Sequence, residues 1–148
     1  MTDVLVRRAT LSDLPAIVAL LADDALGRLR EEPGPPLPPE YASAFAAIDA
    51  DPNQLLAVAE QDGRVVGSLQ VTFMPGLSRR GMWRGEIEGV RIASDRRGAG
   101  LGRILVEWAI ARCRERGCGL VQLTSDKSRT GAQRFYEALG FTASHEGL

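Results

Sequence analysis

Between residues 96 and 103 the chain reads Arg96-Arg97-Gly98-Ala99-Gly100-Leu101-Gly102-Arg103, with three glycines in five positions and arginines on either side. A long amphipathic stretch follows at once. Glycine at that density suits a tight strand-to-helix turn, which leaves the first N–H groups of the helix pointing outward without partners. Those amides, together with the positive end of the helix dipole, suit an anion, above all a pyrophosphate. The run therefore predicts a βα junction two-thirds of the way along the chain, with a phosphate-bearing guest.

The strand leading into the turn covers Trp83 to Ala93. Simple alternation puts Glu86, Glu88, Val90 and Ile92 on one face, and Ile87, Gly89 and Arg91 on the other. Beyond the turn, Leu101 to Arg116 predicts the clearest helix. Ile104, Leu105, Trp108 and Ala109 or Ala111 form its apolar face, and Gly117 and Gly119 stop it. Upstream, Val4 to Arg8 reads as a first strand. Thr10 to Asp13 fits a capping box with Asp in place of Glu, and Pro15 leaves Ser12 as an alternative cap. Five prolines in Glu31 to Pro39 demand a loop. Glu40 to Ala50 predicts a second helix, Leu55 to Glu60 a strand, and Asp62-Gly63 a two-residue hairpin into a partner strand, Arg64 to Phe73. Pro75 to Gly81 is a loop. Downstream, Leu120 to Thr124 predicts a fifth strand parallel to the fourth, because a full helix crosses between them. A polar loop (Asp126 to Thr130), a short helix (Gly131 to Leu139, ended by Gly140) and a last strand opened by Phe141 complete the order β-α-α-β-β-β-α-β-α-β. The expectation is one α/β domain over residues 1–148, an antiparallel meander joined to a parallel crossover.

Composition excludes several classes. Formal net charge is -1, so no global field draws the chain to nucleic acid or anionic membrane. No apolar run approaches the ~18 residues that a membrane span needs, and Met1-Thr2-Asp3 does not open a signal peptide. A cytoplasmic protein is expected. Cys113 and Cys118, the two cysteines, have no further Cys or His beside them; small core thiols are the simpler reading, and no metal is expected.

The glycine run does not fit two common phosphate loops. A P-loop needs Gly-Lys-Ser/Thr, and here Arg103 follows Gly102. A dinucleotide fingerprint would follow the first strand and lead to an acid ~20 residues later, which residues 117–123 do not offer. Arg97-x-x-Gly100-x-Gly102 after an amphipathic strand instead resembles motif A of the GCN5-related N-acetyltransferases. Ala132-x-x-Phe135-Tyr136-Glu137-x-x-Gly140-Phe141 resembles motif B of that family, and Val6-Arg7-Arg8-Ala9-Thr10-x-x-Asp13 its opening. The element order agrees across essentially the whole chain.

The resemblance implies acetyl-CoA as donor and direct transfer of acetyl to the amine of a small molecule or peptide. The amides of Arg97, Gly98, Ala99, Gly100, Leu101, Gly102 and Arg103 would wrap the pyrophosphate, with Arg96, Arg97 or Arg103 near the 3′-phosphate. In the family the fourth and fifth strands splay after a bulge, so backbone groups of Val90, Arg91 and Ile92 would pair with pantetheine and face the thioester oxygen. A protonated amine needs a base, for which Glu86 and Glu88 are the candidates. Spacing from Arg97 favours Glu86 by comparison with histone-type members, whereas Ile87-Glu88 resembles many bacterial ones. Tyr136 stands where the family keeps its general acid. The alternative is a non-catalytic acyl-CoA-binding module of the same fold. An interaction domain acting through its sheet edge is a further reading, and without a charge patch RNA-directed activity has little support.

Two departures stand out. Arg129 occupies a motif B site that is often Asn, which removes a bond to pantetheine or replaces it with a contact to CoA phosphate. The sequence also ends soon after Phe141, where the family adds a seventh strand. The sheet would close differently, take a strand from a partner as a homodimer, or belong to a shortened piece. For the acceptor, the proline loop 31–39 and the loop Met74 to Arg84 are expected to border the amine pocket. Tyr41, Phe45, Phe73 and Trp83 are candidate linings, though core packing is the commoner fate of aromatics. Arg79, Arg80 and Arg84 suggest a carboxylate- or phosphate-bearing amine.

Overall fold

A computed structural model describes residues 3–148; Met1 and Thr2, on which the reading of the N-terminus rests, lie outside the described residues. The strands are β1 (Leu5–Arg8), β2 (Gln54–Gln61), β3 (Arg64–Met74), β4 (Arg84–Ile92) and β5 (Leu120–Leu123). They form one sheet in the order β1-β2-β3-β4-β5. All neighbours are antiparallel except β4 and β5, which run parallel. Helices α1 (Leu14–Ala22) and α2 (Pro39–Ala50) cover one face, and α3 (Leu101–Glu115) covers the other; α4 (Ala132–Ala138) follows β5. The mixed α/β class and the parallel crossover follow the sequence reading.

Local chemistry explains the joints. Asp62 and Gly63 both take positive φ (55° and 71°), the turn whose twist matches a two-residue hairpin between Gln61 and Arg64. Thr10, not Ser12, starts the first helical turn, and its N–H donates to Asp13 Oδ2 at 2.7 Å. Arg7 grips both oxygens of the same carboxylate at 2.8 and 3.0 Å. That pairing holds the buried Asp13 down at about 2 and staples β1 to the entry of α1.

Helix α3 buries Leu101, Leu105, Val106, Ala109 and Cys113 against β3 and β4. The predicted face was centred about one residue too far toward Ile104, which is 43% exposed. One residue is roughly 100° of helix rotation, enough to move a side chain from the stripe to its rim. At the closest approach, a Cβ on Gly85 would fall 2.3 Å from Cys113 Sγ. Cys113 is fully buried and Cys118 half-buried, and burial pushes the Cys113 thiol up to about 11. Both thiols belong to the core. The opposite face carries Ala9, Leu14, Ile17, Val18, Phe45 and Val58.

No strand begins at Phe141; residues 141–148 carry no regular structure. Instead Gly140 takes φ 100° and donates to Glu137 O, while Phe141 N–H donates to Tyr136 O at 3.1 Å. These two bonds make a Schellman cap, and the Phe141 ring meets the Tyr136 ring edge-on at 5.9 Å. The residue read as a strand opener is the apolar contact that closes α4. Among the described residues β5 is therefore an edge of the sheet.

Candidate active site

The site is made by what β4 does after Ile87. Its pairing with β5 ends at Ile87↔Leu123, whereas its pairing with β3 runs on to Ile92. From Glu88 to Ile92 one side of the strand therefore has no neighbouring strand, and a cleft of about 810 Å³ opens there. Between Glu88 and Arg91 the register slips by one: Gln70 pairs with Glu88, but Ser68 pairs with Arg91. Gly89 supplies the kink at φ 64°. Because Ser68 and Gln70 share a face, Glu88 and Arg91 share one too. This corrects the strict alternation, which set Arg91 opposite Glu88 and grouped Ile92 with the acids. Ile92 in fact packs toward α3, within reach of Gly67 and Gly102.

The glycine turn closes one end of the cleft. Gly100 is the N-cap of α3 at φ 83°, and Gly98 stands at φ 82°. A Cβ added at either would meet nothing within 4 Å, so both face open space. Among the described residues, none of the amides from Gly98 to Arg103 has a hydrogen-bond acceptor. Gly102 faces the other way, where a Cβ would come 3.1 Å from Phe135 Cζ. A turn with free amides, an open side and a helix N-terminus fits a pyrophosphate.

Of the predicted donor-site residues, Val90, Arg91, Ile92, Arg97 and Gly98 line this cleft, as do Gly100, Leu101, Gly102 and Arg103; Ala99 does not. The arginines of the turn already have partners. Arg97 bridges Ile92 O (3.3 Å) and Asp23 O (3.2 Å), tying the end of β4 to the end of α1. Arg96 meets Gln61, Asp62 and Asp95, and Arg103 pairs with Glu107 at 2.8 Å.

Glu88 and Tyr136 line the same cleft, and Glu86 does not. Glu86 lies in the clasped part of β4, opposite Thr72 on one side and Gln122 on the other. Desolvation, and then the nearby Glu86 charge, raise the Glu88 carboxyl above its ordinary range. Burial raises the Tyr136 phenol, partly offset by Arg91 and Arg129. The Glu88 shift makes that carboxylate more basic, and the Tyr136 phenol is held in its protonated form elsewhere in the same cleft.

Sequence reasoning missed the wall supplied by the segment after α1. Asp24, Leu26 and Arg30 line the cleft, the last from a single helical turn (Gly27–Arg30). Asp24 Oδ2 forms ion pairs with Arg91 Nε at 3.1 Å and Arg129 Nη2 at 3.0 Å. The signal was present, since two acids, Asp23-Asp24, end α1 where the dipole disfavours them and calls for cations. The loops expected to border the amine lie outside this cleft. Neither residues 31–39 nor Arg79, Arg80 and Arg84 line the cleft. Arg84 opens β4 opposite Met74, at the far end of the strand from Glu88. Phe45, Phe73, Tyr41 and Trp83 pack into or against the two cores.

Two absences hold among the described residues. No group of three or more His, Cys, Asp or Glu is placed to hold a metal ion. No helix is long and apolar enough to cross a membrane.

Comparison with known proteins agrees with this geometry. An aminoalkylphosphonate N-acetyltransferase of Salmonella typhimurium is 30% identical over 94% of this chain and 85% of its own length. A glucosamine 6-phosphate N-acetyltransferase of Trypanosoma brucei brucei is 40% identical over 57% of this chain and 54% of its own. Among solved structures, a transcriptional regulator from Bacillus halodurans C-125 superposes with a TM-score of 0.96 at 55% identity, covering 99% of this chain and 97% of that one. Residues 19–141 match the Acetyltransferase (GNAT) family, and the chain, an acyltransferase by fold and relatives, belongs to it.

Proposed function

We propose that the chain moves acetyl from acetyl-CoA directly to the primary amine of a small molecule, with both substrates bound at once. The observation that carries this reading is one cleft that joins four features: the free-amide turn, the unpaired half of β4, Glu88 and Tyr136. Acetyl-CoA, when bound, supplies the activated acetyl thioester. Amides from Gly98 to Arg103 would hold its pyrophosphate, and the open main chain from Glu88 to Ile92 would hold its pantetheine arm as an added strand.

An alkyl amine with a pKa of ~10.4 arrives protonated and cannot attack. Glu88 accepts its proton, directly or through water, and the raised carboxyl is the better base for it. Tyr136 holds a proton at its phenol oxygen and donates it to the departing thiolate. Burial raises the pKa of the phenol, which favours its protonated form. Glu86 acts only through its charge on Glu88.

Thiol release from acetyl-CoA against a panel of amino acids, aminophosphonates, polyamines, aminoglycosides and peptides tests the reading. Turnover that falls in Tyr136→Phe and Glu88→Gln is expected. CoA binding without turnover on any amine would leave a non-catalytic binding module instead.

A further inference from the structure

The side chains of Asp24, Arg30, Arg91 and Arg129 have no part in the reaction as described, yet they line the same cleft as Glu88 and Tyr136. Its charges do not balance. Both arginines of the central triad reach one oxygen, Asp24 Oδ2, while Oδ1 takes the N–H of Gly27. Asp24 Oδ2 meets the two guanidiniums as ion pairs without hydrogen-bond geometry, and most of the N–H donors on both guanidiniums remain. Arg91 turns one more to Val90 O at 2.9 Å, and Arg129 has no other side-chain bond among the described residues. Arg30 has no hydrogen bond or ion pair among the described residues, and it is close enough for its charge to act on Arg91 and Asp126. The other acid of the cleft, Asp126, takes the Ser128 N–H and hydroxyl on Oδ1 at 2.9 and 2.6 Å and interacts through its charge with Arg129 and Arg30.

Three cations, Arg30, Arg91 and Arg129, thus face the cleft around two carboxylates, Asp24 and Asp126. An oxyanion with two or three acceptor atoms would complete this arrangement, because guanidinium forks match such anions in pairs. Two sources could supply the anion: the acceptor or a phosphate of CoA. The acceptor is favoured by position. The charges of Arg91 and Arg129 act on Tyr136, and Arg91 shares the Glu88 face of β4. The pyrophosphate already has the free amides of the glycine turn. Two relatives, moreover, are named for amines that carry phosphonate or phosphate.

We infer that Arg129, held in place by Asp24, and the unpaired Arg30 read the anionic group of the acceptor, an amine bearing a phosphonate, phosphate or carboxylate. This rests on the acetyltransfer reading above and replaces Arg79, Arg80 and Arg84 as the anion-recognising set. Asp24 is a positioning residue that keeps two like charges together.

The test pairs 2-aminoethylphosphonate with propylamine, which lacks the anion. In the wild type, kcat/KM for the phosphonate should exceed that for propylamine by at least about tenfold, a ratio that one charge-assisted pair supports. Arg129→Gln and Arg30→Gln should each collapse that ratio through KM of the phosphonate, with KM of acetyl-CoA moved less than about twofold. Thermal denaturation of each variant checks folding. Stabilisation of the CoA-loaded protein by 2-aminoethylphosphonate, lost in both variants, gives a readout independent of turnover. Equal use of the two amines by the wild type overturns the inference while leaving acetyltransfer intact. So does a rise in KM for acetyl-CoA with the ratio preserved, which would assign the cations to CoA phosphate. Arginine-dependent binding of the phosphonate without turnover would uphold the anion site and overturn the transfer reading.

Discussion

From Arg84 to Ile87, β4 is clasped on both sides, by β3 and by β5; from Glu88 to Ile92 only β3 holds it. The same residue type serves opposite ends in and around these two halves. Gly85, in the clasped half, is glycine because α3 comes so close that a Cβ would collide with Cys113 Sγ. Gly98 and Gly100, past the open half, have empty space where a Cβ would sit. They are glycines because their backbone is left-handed. The closed half is fixed by packing, and the open half by backbone conformation and by groups without partners. Damage to the first should be read in stability, and damage to the second in turnover and substrate affinity.

The largest effect should come from filling the closed half. Gly85→Val drives a branched side chain into Cys113 and should cost about 3 kcal/mol or more of unfolding free energy. Chemical denaturation measures it; a loss under about 1 kcal/mol would mean that the α3–β4 contact is looser than described. Next in size are the groups of the open half. Tyr136→Phe and Glu88→Gln should each lower kcat about 100-fold with little change in melting temperature, while Glu86→Gln, two residues into the clasped half, should cost less than about threefold. A Glu86 variant as crippled as the Glu88 variant would erase the boundary at Ile87. Smaller again, Gly100→Ala should cost about 1–2 kcal/mol from its left-handed backbone, and it should raise KM for acetyl-CoA several-fold. The smallest effect is in the pH profile. Glu88 works as a base only when ionised, so kcat/KM should fall toward acid with a midpoint above the ordinary carboxylate value of 4.5. Removing the neighbouring charge in Glu86→Gln should move that midpoint down.

What could be read from sequence was what neighbours in the chain decide. The Asp62-Gly63 hairpin, the glycine turn before α3, the helix ended by Gly140 and the parallel return of β5 all follow from residues a few positions apart. Glu88 and Tyr136 were found because they stand in motifs, and the cleft contains both. What was missed depends on how elements meet. Helix α3 settles about one residue away from its apparent apolar face because Cys113 seats against Gly85. Phe141 caps α4 because its N–H is taken by Tyr136 O before any strand can claim it. Arg79, Arg80 and Arg84 lie outside the cleft that holds Glu88 and Tyr136. Strand direction alone argues against them, since the glycine turn follows the C-terminal end of β4 and Arg84 is its first residue. Asp24 and Arg30 come from a segment with no motif, and only the burden of two acids at a helix end pointed to them.

The kink at Gly89 acts as a phase shift in β4. A strand in strict alternation would turn Arg91 toward α3 and Ile92 onto the face that carries Glu88. That would place an unpartnered guanidinium in the core and an apolar side chain beside Tyr136. Deleting one residue at this point would exchange the roles of every side chain that follows, up to the glycine turn. One inserted position thus lets a single short strand be apolar toward α3 along its length and still present both a carboxylate and a guanidinium on its other face.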